Sequence, residues 1–464
     1  MLLFALPTLA SNVLQSLNGS INAIWVGRFL GASALAATSN ANLVMFLMYA
    51  AVFGFGMAAT ILVGQNVGRG DLDAARRALG TAVGMFVAVA FGIAIVGWLT
   101  APALLRLLAT PSEVQPLALA YLRVIFLGMP GAFLSVLLMM GLRGVGDSLT
   151  PLWFMILSAV LDSALNPVLI LGLGPAPRMG IAGSATATLI ATYVSVSALV
   201  VTIYLRDLPV RLRGAEWRYL RPDPALLRVI AAKGLPMGLQ MIVVSSSALM
   251  MIGLVNRYGI VTTAAYGAIN QLWAYVQMPA LAIGAAASAM AAQNIGAGRW
   301  ERVDRITRSG IIANLVMTSA LVLAIALVDR QAIGLFLGAS HPGVPIAAHI
   351  HLVAGWSFVL FGMSIVLMST IRANGVVVAP LVILTIAVFP VRLGFALAFR
   401  DRWGADAIWW SFTFGSVATL VLTAAYYRAG TWRTTRLMAP MDTREAEDHA
   451  LATGDACGKL TPTA

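Results

Sequence analysis

One carboxylate stands out among the residues that could do chemistry. Asp162 lies within LSAVLDSALNPVLILG, a stretch otherwise apolar enough to cross a membrane. Of the eighteen acidic residues it is the exception; the other seventeen fall in loops, at the ends of apolar runs or in the polar tail. A charge in hydrocarbon costs at least about 2.5–3.5 kcal/mol on insertion scales, so an ionisable group at that depth is a functional candidate by default. Two readings stay open: a proton- or cation-binding carboxylate, or a structural partner to a neighbouring hydroxyl or amide. Asn166 follows at i+4 and shares its helix face. In the first apolar run Asn18 and Asn22 are also i, i+4, with Gln15 one turn earlier. These amides suit either cation coordination or hydrogen bonds between helices.

The second half of the chain offers no intramembrane acid. It has amides at Asn270, Gln271 and Gln277, and one arginine, Arg392, that either snorkels to the interface or faces a cavity. His349 and His351 are expected at the outer interface. Residues expected to line a substrate cavity are Gln15, Asn42, Met139, Asn270, Gln271 and Trp273, since amides orient a ligand while methionine and tryptophan adapt to its shape. No metal-ligand cluster, phosphate loop or nucleophile–base pair is present. The lone cysteine, Cys457, lies in the polar tail, so neither a disulfide framework nor a cysteine metal site is expected. Without an ATP motor, work would have to be driven by an ion gradient, H⁺ or Na⁺, with no bound cofactor.

The elements that hold these residues follow from composition. Sixty per cent of the 464 residues are hydrophobic, 10% are charged, and mean hydropathy is +0.88. Soluble domains carry about 25% charged residues, so a soluble enzyme, a nucleic-acid-binding module and a disordered chain are all excluded. Each span needs about 20 apolar residues. Twelve such runs appear: 2–26, 36–64, 79–101, 118–141, 150–173, 181–205, 230–256, 263–291, 309–328, 346–370, 378–399 and 407–428. They are apolar on every face, which suits helices rather than the alternating strands of a barrel. Twenty-one of the 30 Lys and Arg residues fall on the side that carries both termini and eight on the other. The positive-inside rule then places both termini in the cytoplasm. The net charge of +12 marks those loops and not a nucleic-acid partner.

An internal repeat sets the architecture. Gln65-Asn66-Val67-Gly68-Arg69-Gly70 returns as Gln293-Asn294-Ile295-Gly296-Ala297-Gly298, displaced by 228 residues. Arg143…Pro151 returns as Arg372…Pro380 and Leu6-Pro7 as Leu235-Pro236, both displaced by 229. Because each half has an even number of spans, the repeats run parallel, related by a pseudo-two-fold axis along the membrane normal. The expected fold is all-α integral membrane, with twelve transmembrane helices in two six-helix lobes. An N-lobe occupies 1–205, a cytoplasmic linker 206–229, a C-lobe 230–428 and a flexible cytoplasmic tail 429–464. Rocking of the lobes about a midplane cavity would give alternating access.

The stretches INAIWVGRFLGASALAA (21–37), VGQNVGRGDLDAARR (63–77), LRGVGDSLTP (142–151), NPVLILGLG…GIAGSATAT (166–188), KGLPMGLQ (233–240) and QNIGAGRWERV (293–303), together with Pro7, resemble the multidrug and toxic compound extrusion (MATE) family of cation antiporters. The resemblance covers roughly residues 4–428. It implies a plasma-membrane (inner-membrane) exporter of organic cations or other amphipathic drugs, monomeric and not an enzyme. It also implies a coupling site in the first lobe, with Asp162, Asn166, Asn18 and Asn22 joined by Thr186 of the sixth span. Two departures matter. Asn22 stands where the family commonly has an aspartate, and the family's Asn-xxx-Asp-Pro appears here as Asp162-xxx-Asn166-Pro167. A flippase for lipid-linked saccharides is the alternative; its polyanionic cargo would call for several basic residues in the cavity, and only Arg392 is a candidate.

Overall fold

A computed structural model of the chain describes residues 1–107, 110, 114–338 and 340–435, without the side chains of ten residues of the second helix and of Leu107. The first six long helices are α1 (Leu2–Leu30), α2 (Ala32–Arg69), α3 (Leu72–Leu107), α4 (Gln115–Val145), α5 (Leu149–Leu171) and α6 (Ile181–Leu205). After a linker come α7 (Pro224–Val255), α8 (Ile260–Gly296), α9 (Trp300–Leu327), the short α10 (Asp329–Leu337), α11 (Gly343–Ala354), α12 (Ser357–Ala373), α13 (Val378–Ile386), α14 (Gly394–Trp403) and α15 (Asp406–Ala429). No strand occurs among the described residues.

Three features break the simple count of twelve rods. The tenth span is a pair, α11 and α12, bent by 44°. The eleventh runs from α13 through a π-helical stretch, Ala387–Leu393, into α14, with Pro390 inside the distortion. α10 is a short extra helix before α11. Counted this way, eight single helices, the continuous α13–α14 span and the bent pair are, among the described residues, long and apolar enough to cross a membrane. α1 and α2, 29 and 38 residues long, complete the twelve. The chain is therefore an all-α membrane protein of two six-helix lobes. Its lipid-facing surface is built of side chains such as Leu99, Leu205, Ile260 and Leu327, all exposed.

The repeated motifs turn out to be helix ends. Gly70 and Gly298 have φ of 83° and 70°, and Gly146 and Gly375 have φ of 100° and 81°. A left-handed residue that ends a helix is most often glycine, because no Cβ clashes there. After α2 the bonds Gly70 N→Val67 O and Asp71 N→Asn66 O close the cap; after α8 the same pair recurs as Gly298 N→Ile295 O and Arg299 N→Asn294 O.

The same motifs join the lobes. Gln65 Nε2 donates to the Ala373 carbonyl at the end of α12 (2.7 Å), and Gln293 Nε2 donates to the Gly144 carbonyl at the end of α4 (2.8 Å). The two bonds are repeat-equivalents: each glutamine crosses to the other lobe and caps the same helix there. Between them α2 and α8 touch backbone to backbone. A Cβ on Gly68 would lie 1.9 Å from the Gln293 carbonyl oxygen, and one on Gly296 would lie 2.0 Å from that of Gln65. A Cβ on Gly54 would lie 2.4 Å from the Gly234 carbonyl oxygen and 2.5 Å from the Gly238 nitrogen of α7. All these approaches lie in the half of the bundle nearest the linker.

The linker is bound to the helices and does not hang free. Its 3₁₀ turn, Gly214–Leu220, lies over α3, where Gly80 and Gly84 leave room for Tyr219 and Leu220. Arg76 pairs with Glu216 at 2.9 Å, Tyr219 donates to Asp73 at 2.7 Å, and Arg77 pairs with Asp223. α7 begins at Pro224, six residues before the expected start of that span, because Asp223 caps it by accepting from the Ala225 amide. Burial alone would push the Asp223 carboxyl up, but the Ala225 amide and the Arg77 guanidinium hold it below the usual carboxylate range. A depressed carboxylate stabilises the fold above that range and loses its contribution as pH falls through its own lowered value. Asp223→Ala is expected to cost about 1 kcal/mol, seen as a lower melting temperature in detergent at neutral pH. The difference from wild type should shrink in acid.

Of the expected tail, residues 436–464 lie outside the described residues. Its first residues are docked, against expectation. Trp432 is fully buried against Trp300 and Tyr427, and Asn374 Nδ2 donates to the Trp432 and Thr435 carbonyls at 2.6 and 3.0 Å.

Candidate functional site

Asp162 sits on the inner face of α5, 2% exposed, and is the only acid among the described residues that is fully buried. Its Oδ2 accepts from Asn18 Nδ2 of α1 at 2.9 Å. Its Oδ1 accepts from the Thr188 hydroxyl of α6 at 2.9 Å and from Asn166 Nδ2 at 3.1 Å. The Asn166 amide also donates to the Asp162 carbonyl at 2.9 Å. One turn along, Ser184 of α6 donates to Asn22 of α1 at 2.6 Å. A single carboxylate thus gathers three helices of the first lobe, through two side chains on α5 and one each on α1 and α6.

All three side-chain donors point at the carboxylate, the pattern an ionised acid requires. Two acceptors are left over. Asn18 Oδ1 and Asn166 Oδ1 are buried without a hydrogen-bond partner. Buried polar groups are normally paired, and an orphan needs an explanation. Here the orphans stand beside the only buried acid among the described residues. A monovalent cation would be offered carboxylate and amide oxygens together. A proton would be accommodated in another way. If Oδ2 took up a proton, the Asn18 amide could turn by 180° and present its unused Oδ1 as acceptor.

The residues expected at the site do not all arrive there. Asp162, Asn166 and Asn18 meet directly, and Asn22 joins through Ser184. Thr186 does not: its hydroxyl donates to the Ala182 carbonyl of its own helix at 2.8 Å. On α6 the inward face is Ser184 and Thr188, one turn apart, so a residue midway between them points elsewhere. The SATAT stretch offers three hydroxyls at alternate positions, and only the neighbouring helices select two of them.

The expected cavity set also divides. Gln15, Asn42, Asn270 and Gln271 are exposed. With Gly267 and Ala274, the two α8 amides form an exposed stripe at helical spacing. Polar side chains at that spacing suit a surface that meets water or a ligand better than one that meets lipid. Met139 is instead packed against Leu79, Leu142 and Leu199 inside the first lobe. Trp273 is fully buried; its indole N–H donates to His351 Nδ1 at 3.1 Å, which leaves His351 Nε2–H to donate to the Val322 carbonyl at 3.0 Å. Both are core residues because the packing of the lobe interior outweighs any pull toward a cavity. His351 is likewise buried and neutral, with both ring nitrogens used, and not interfacial; His349 is exposed and pairs with Asp406 at 2.9 Å. Arg392 does not snorkel either. Its guanidinium carbon lies 3.6 Å from the centre of the Phe412 ring.

The MatE family model matches this chain twice, over residues 7–168 and 236–397. The chain belongs to the MatE family. The two matches are displaced by 229 residues at both ends, the displacement of the repeat. This MatE protein is 36% identical to the probable multidrug resistance protein YoeA of Bacillus subtilis, over 92% of this chain and 93% of that one. It is 30% identical to the probable multidrug resistance protein YpnP of the same organism, over 94% and 96%. Among solved structures, a MATE crystal structure in a bent conformation superposes with a TM-score of 0.84 at 21% identity, covering 92% of this chain and 94% of that one. That likeness speaks to the fold.

Thr186 and Thr188 of α6 separate the site from its neighbourhood. Thr188→Val removes a donor to a charged group, a loss of about 1.5–3 kcal/mol, and is expected to slow gradient-driven export about tenfold or more. Thr186→Val should stay within about twofold, since only a bond to its own helix is lost. Initial rates in inverted membrane vesicles, normalised to protein amount, would check both.

Proposed function

We propose that this MatE protein is a secondary active exporter of organic cations and other amphipathic drugs, driven by inward movement of H⁺ or Na⁺ through Asp162. The observation that carries the reading is the convergence of α1, α5 and α6 on one buried carboxylate flanked by two unused amide oxygens. When Asp162 is ionised, Asn18 and Thr188 hold α1 and α6 against α5. When a cation or proton neutralises it, those charge-assisted bonds weaken, and the seating of α1 changes. The bound ion therefore biases how the first lobe packs, which is the differential interaction that coupling requires.

Alternating access follows from the two-fold arrangement. The lobes are locked together at the linker end by the Gln65 and Gln293 bonds and by the Gly68 and Gly296 approaches. We assign the linker end to the cytoplasm from the 21:8 distribution of Lys and Arg. This conformation is then closed to the cytoplasm, with the protein in the plasma membrane, both termini inside, and one chain as the working unit. Support for drugs as substrates comes from the relatives, which are named for multidrug resistance.

The test is transport of a fluorescent organic cation into inverted vesicles under an imposed pH gradient and, separately, an imposed Na⁺ gradient. Accumulation that follows one gradient and collapses with it supports the reading and names the ion. Accumulation indifferent to both gradients would sink it.

A further inference from the structure

We infer that the second lobe recognises an anionic group, a carboxylate on an aromatic amphipathic substrate, and that Arg392 is the residue that binds it. The inference rests on the efflux reading above and narrows its substrate class. Three observations carry it.

The first is that Arg392 is a charge without a counter-charge. A guanidinium stays protonated at physiological pH, and this one lies about midway along the eleventh span, at the end of the π-helical stretch. None of the ion pairs among the described residues includes it. Its Nε is buried with no partner. What it has is the face of Phe412 and, as electrostatic neighbour, the phenol of Tyr266. A cation–π contact contributes about 0.5–2 kcal/mol, less than a buried charge costs.

Second, its place mirrors that of Asp162. Asp162 stands eleven residues after Pro151 and Arg392 twelve after Pro380, the repeat-equivalent proline. The π-helical stretch between Pro380 and Arg392 takes up one residue more than a regular turn. At the 229-residue displacement of the repeat, Asp162 corresponds to Val391, the residue next to Arg392. The fifth and eleventh spans therefore carry opposite charges one repeat position apart, a carboxylate bonded to amides and a hydroxyl and a guanidinium over the Phe412 ring. π-helical turns recur at functional sites because they re-aim a side chain at some cost to the helix.

Third, the surroundings fit one ligand chemistry. A guanidinium binds a carboxylate through two parallel N–H bonds, and Phe412, one face against the guanidinium and packed with Tyr266 in the core of the second lobe, holds that fork in place. A purely cationic drug gains nothing from an unpaired guanidinium. A polyanionic lipid carrier would need more than one. A zwitterion with one carboxylate on an aromatic frame matches the single charge.

The test uses a matched pair of dyes, a zwitterionic rhodamine with a free carboxylate and its methyl ester, which is a plain cation. Wild type, Arg392→Gln and Arg392→Lys are compared in inverted vesicles. Wild type is expected to export the free acid at a lower half-saturating concentration than the ester. Arg392→Gln should raise that concentration about tenfold or more for the acid and leave the ester within about twofold; Arg392→Lys should keep part of the preference. In detergent the acid, and not the ester, should raise the melting temperature of wild type, and Arg392→Gln should lose that shift. Equal losses for both dyes would assign Arg392 a structural role and overturn the inference. Export of the ester alone by wild type would overturn it while leaving the efflux reading intact. Wild-type vesicles that move neither dye would remove both.

Discussion

Asp162→Asn is expected to fold and to bind drug, yet to lose the dependence of export on the ion gradient. The geometry gives the reason the variant survives. An amide at position 162 keeps Oδ1 for Thr188 and Asn166 and replaces Oδ2 by an N–H. That N–H would face the donor of Asn18, but Asn18 has an unused Oδ1 that a half-turn of its amide brings into place. The turn moves Asn18 Nδ2 to the place where Oδ1 had no partner, so the variant carries the penalty of one buried unpaired donor, about 1–3 kcal/mol, which a folded protein of this size tolerates. The variant is fixed in the pattern of the neutralised acid. Coupling between ion and drug, typically about 5–150-fold in affinity, should fall to unity. Dye binding measured with and without the coupling ion reads this directly. Gradient-driven accumulation at the wild-type rate would show that the coupling ion does not use Asp162.

Gly68→Ala, or its repeat-equivalent Gly296→Ala, should open the linker end. A Cβ within 2.0 Å of a carbonyl oxygen has no room, and the obstacle is backbone, which cannot turn aside as a side chain can. The ends of α2 and α8 must separate, and Gln65 and Gln293 lose their carbonyls on the opposite lobe. Overpacking of this kind costs about 1–3 kcal/mol, which moves a two-state equilibrium by about tenfold to a hundredfold. The shift is away from the closed linker end. A cysteine at Ala297, with Cys457 removed, should react faster with an impermeant maleimide from the linker side in the Gly68→Ala protein, and export should slow. Unchanged labelling together with unchanged export would mean that this contact is not part of the transport cycle. Gly70→Ala offers a contrast: nothing lies near its Cβ, and the variant meets only the strain of a left-handed residue, φ 83°.

The amino-acid sequence carried the architecture because membrane helices obey a one-dimensional rule. A span is about 20 apolar residues in a row, its orientation is read from neighbouring arginines, and a duplication shows as matching glycines and prolines at one displacement. None of these needs to know which helix touches which. Asp162 was legible for the same reason, since a lone acid in hydrocarbon is conspicuous at any packing. Its partners were less so. Asn166 and Asn18 lie on predictable faces, whereas Thr188 had to be chosen over Thr186 by the rotation of α6 against α5, and hydropathy carries no rotation angle. Trp273 and Met139 read as cavity residues because aromatic and thioether side chains serve a core and a binding surface alike; only their neighbours show that they are core.

What the chain alone determined, then, is the helical membrane fold, the duplication and the one acid within an apolar span, all consequences of composition and spacing along the sequence. What the tertiary structure decided is contact. The glutamines of the repeat cross between lobes, the glycines beside them exist so that two backbones can touch, the linker is strapped to α3, and Arg392 has no ion-pair partner among the described residues. Each of these depends on distances between residues far apart in the chain, set when two lobes of similar sequence pack around a common axis.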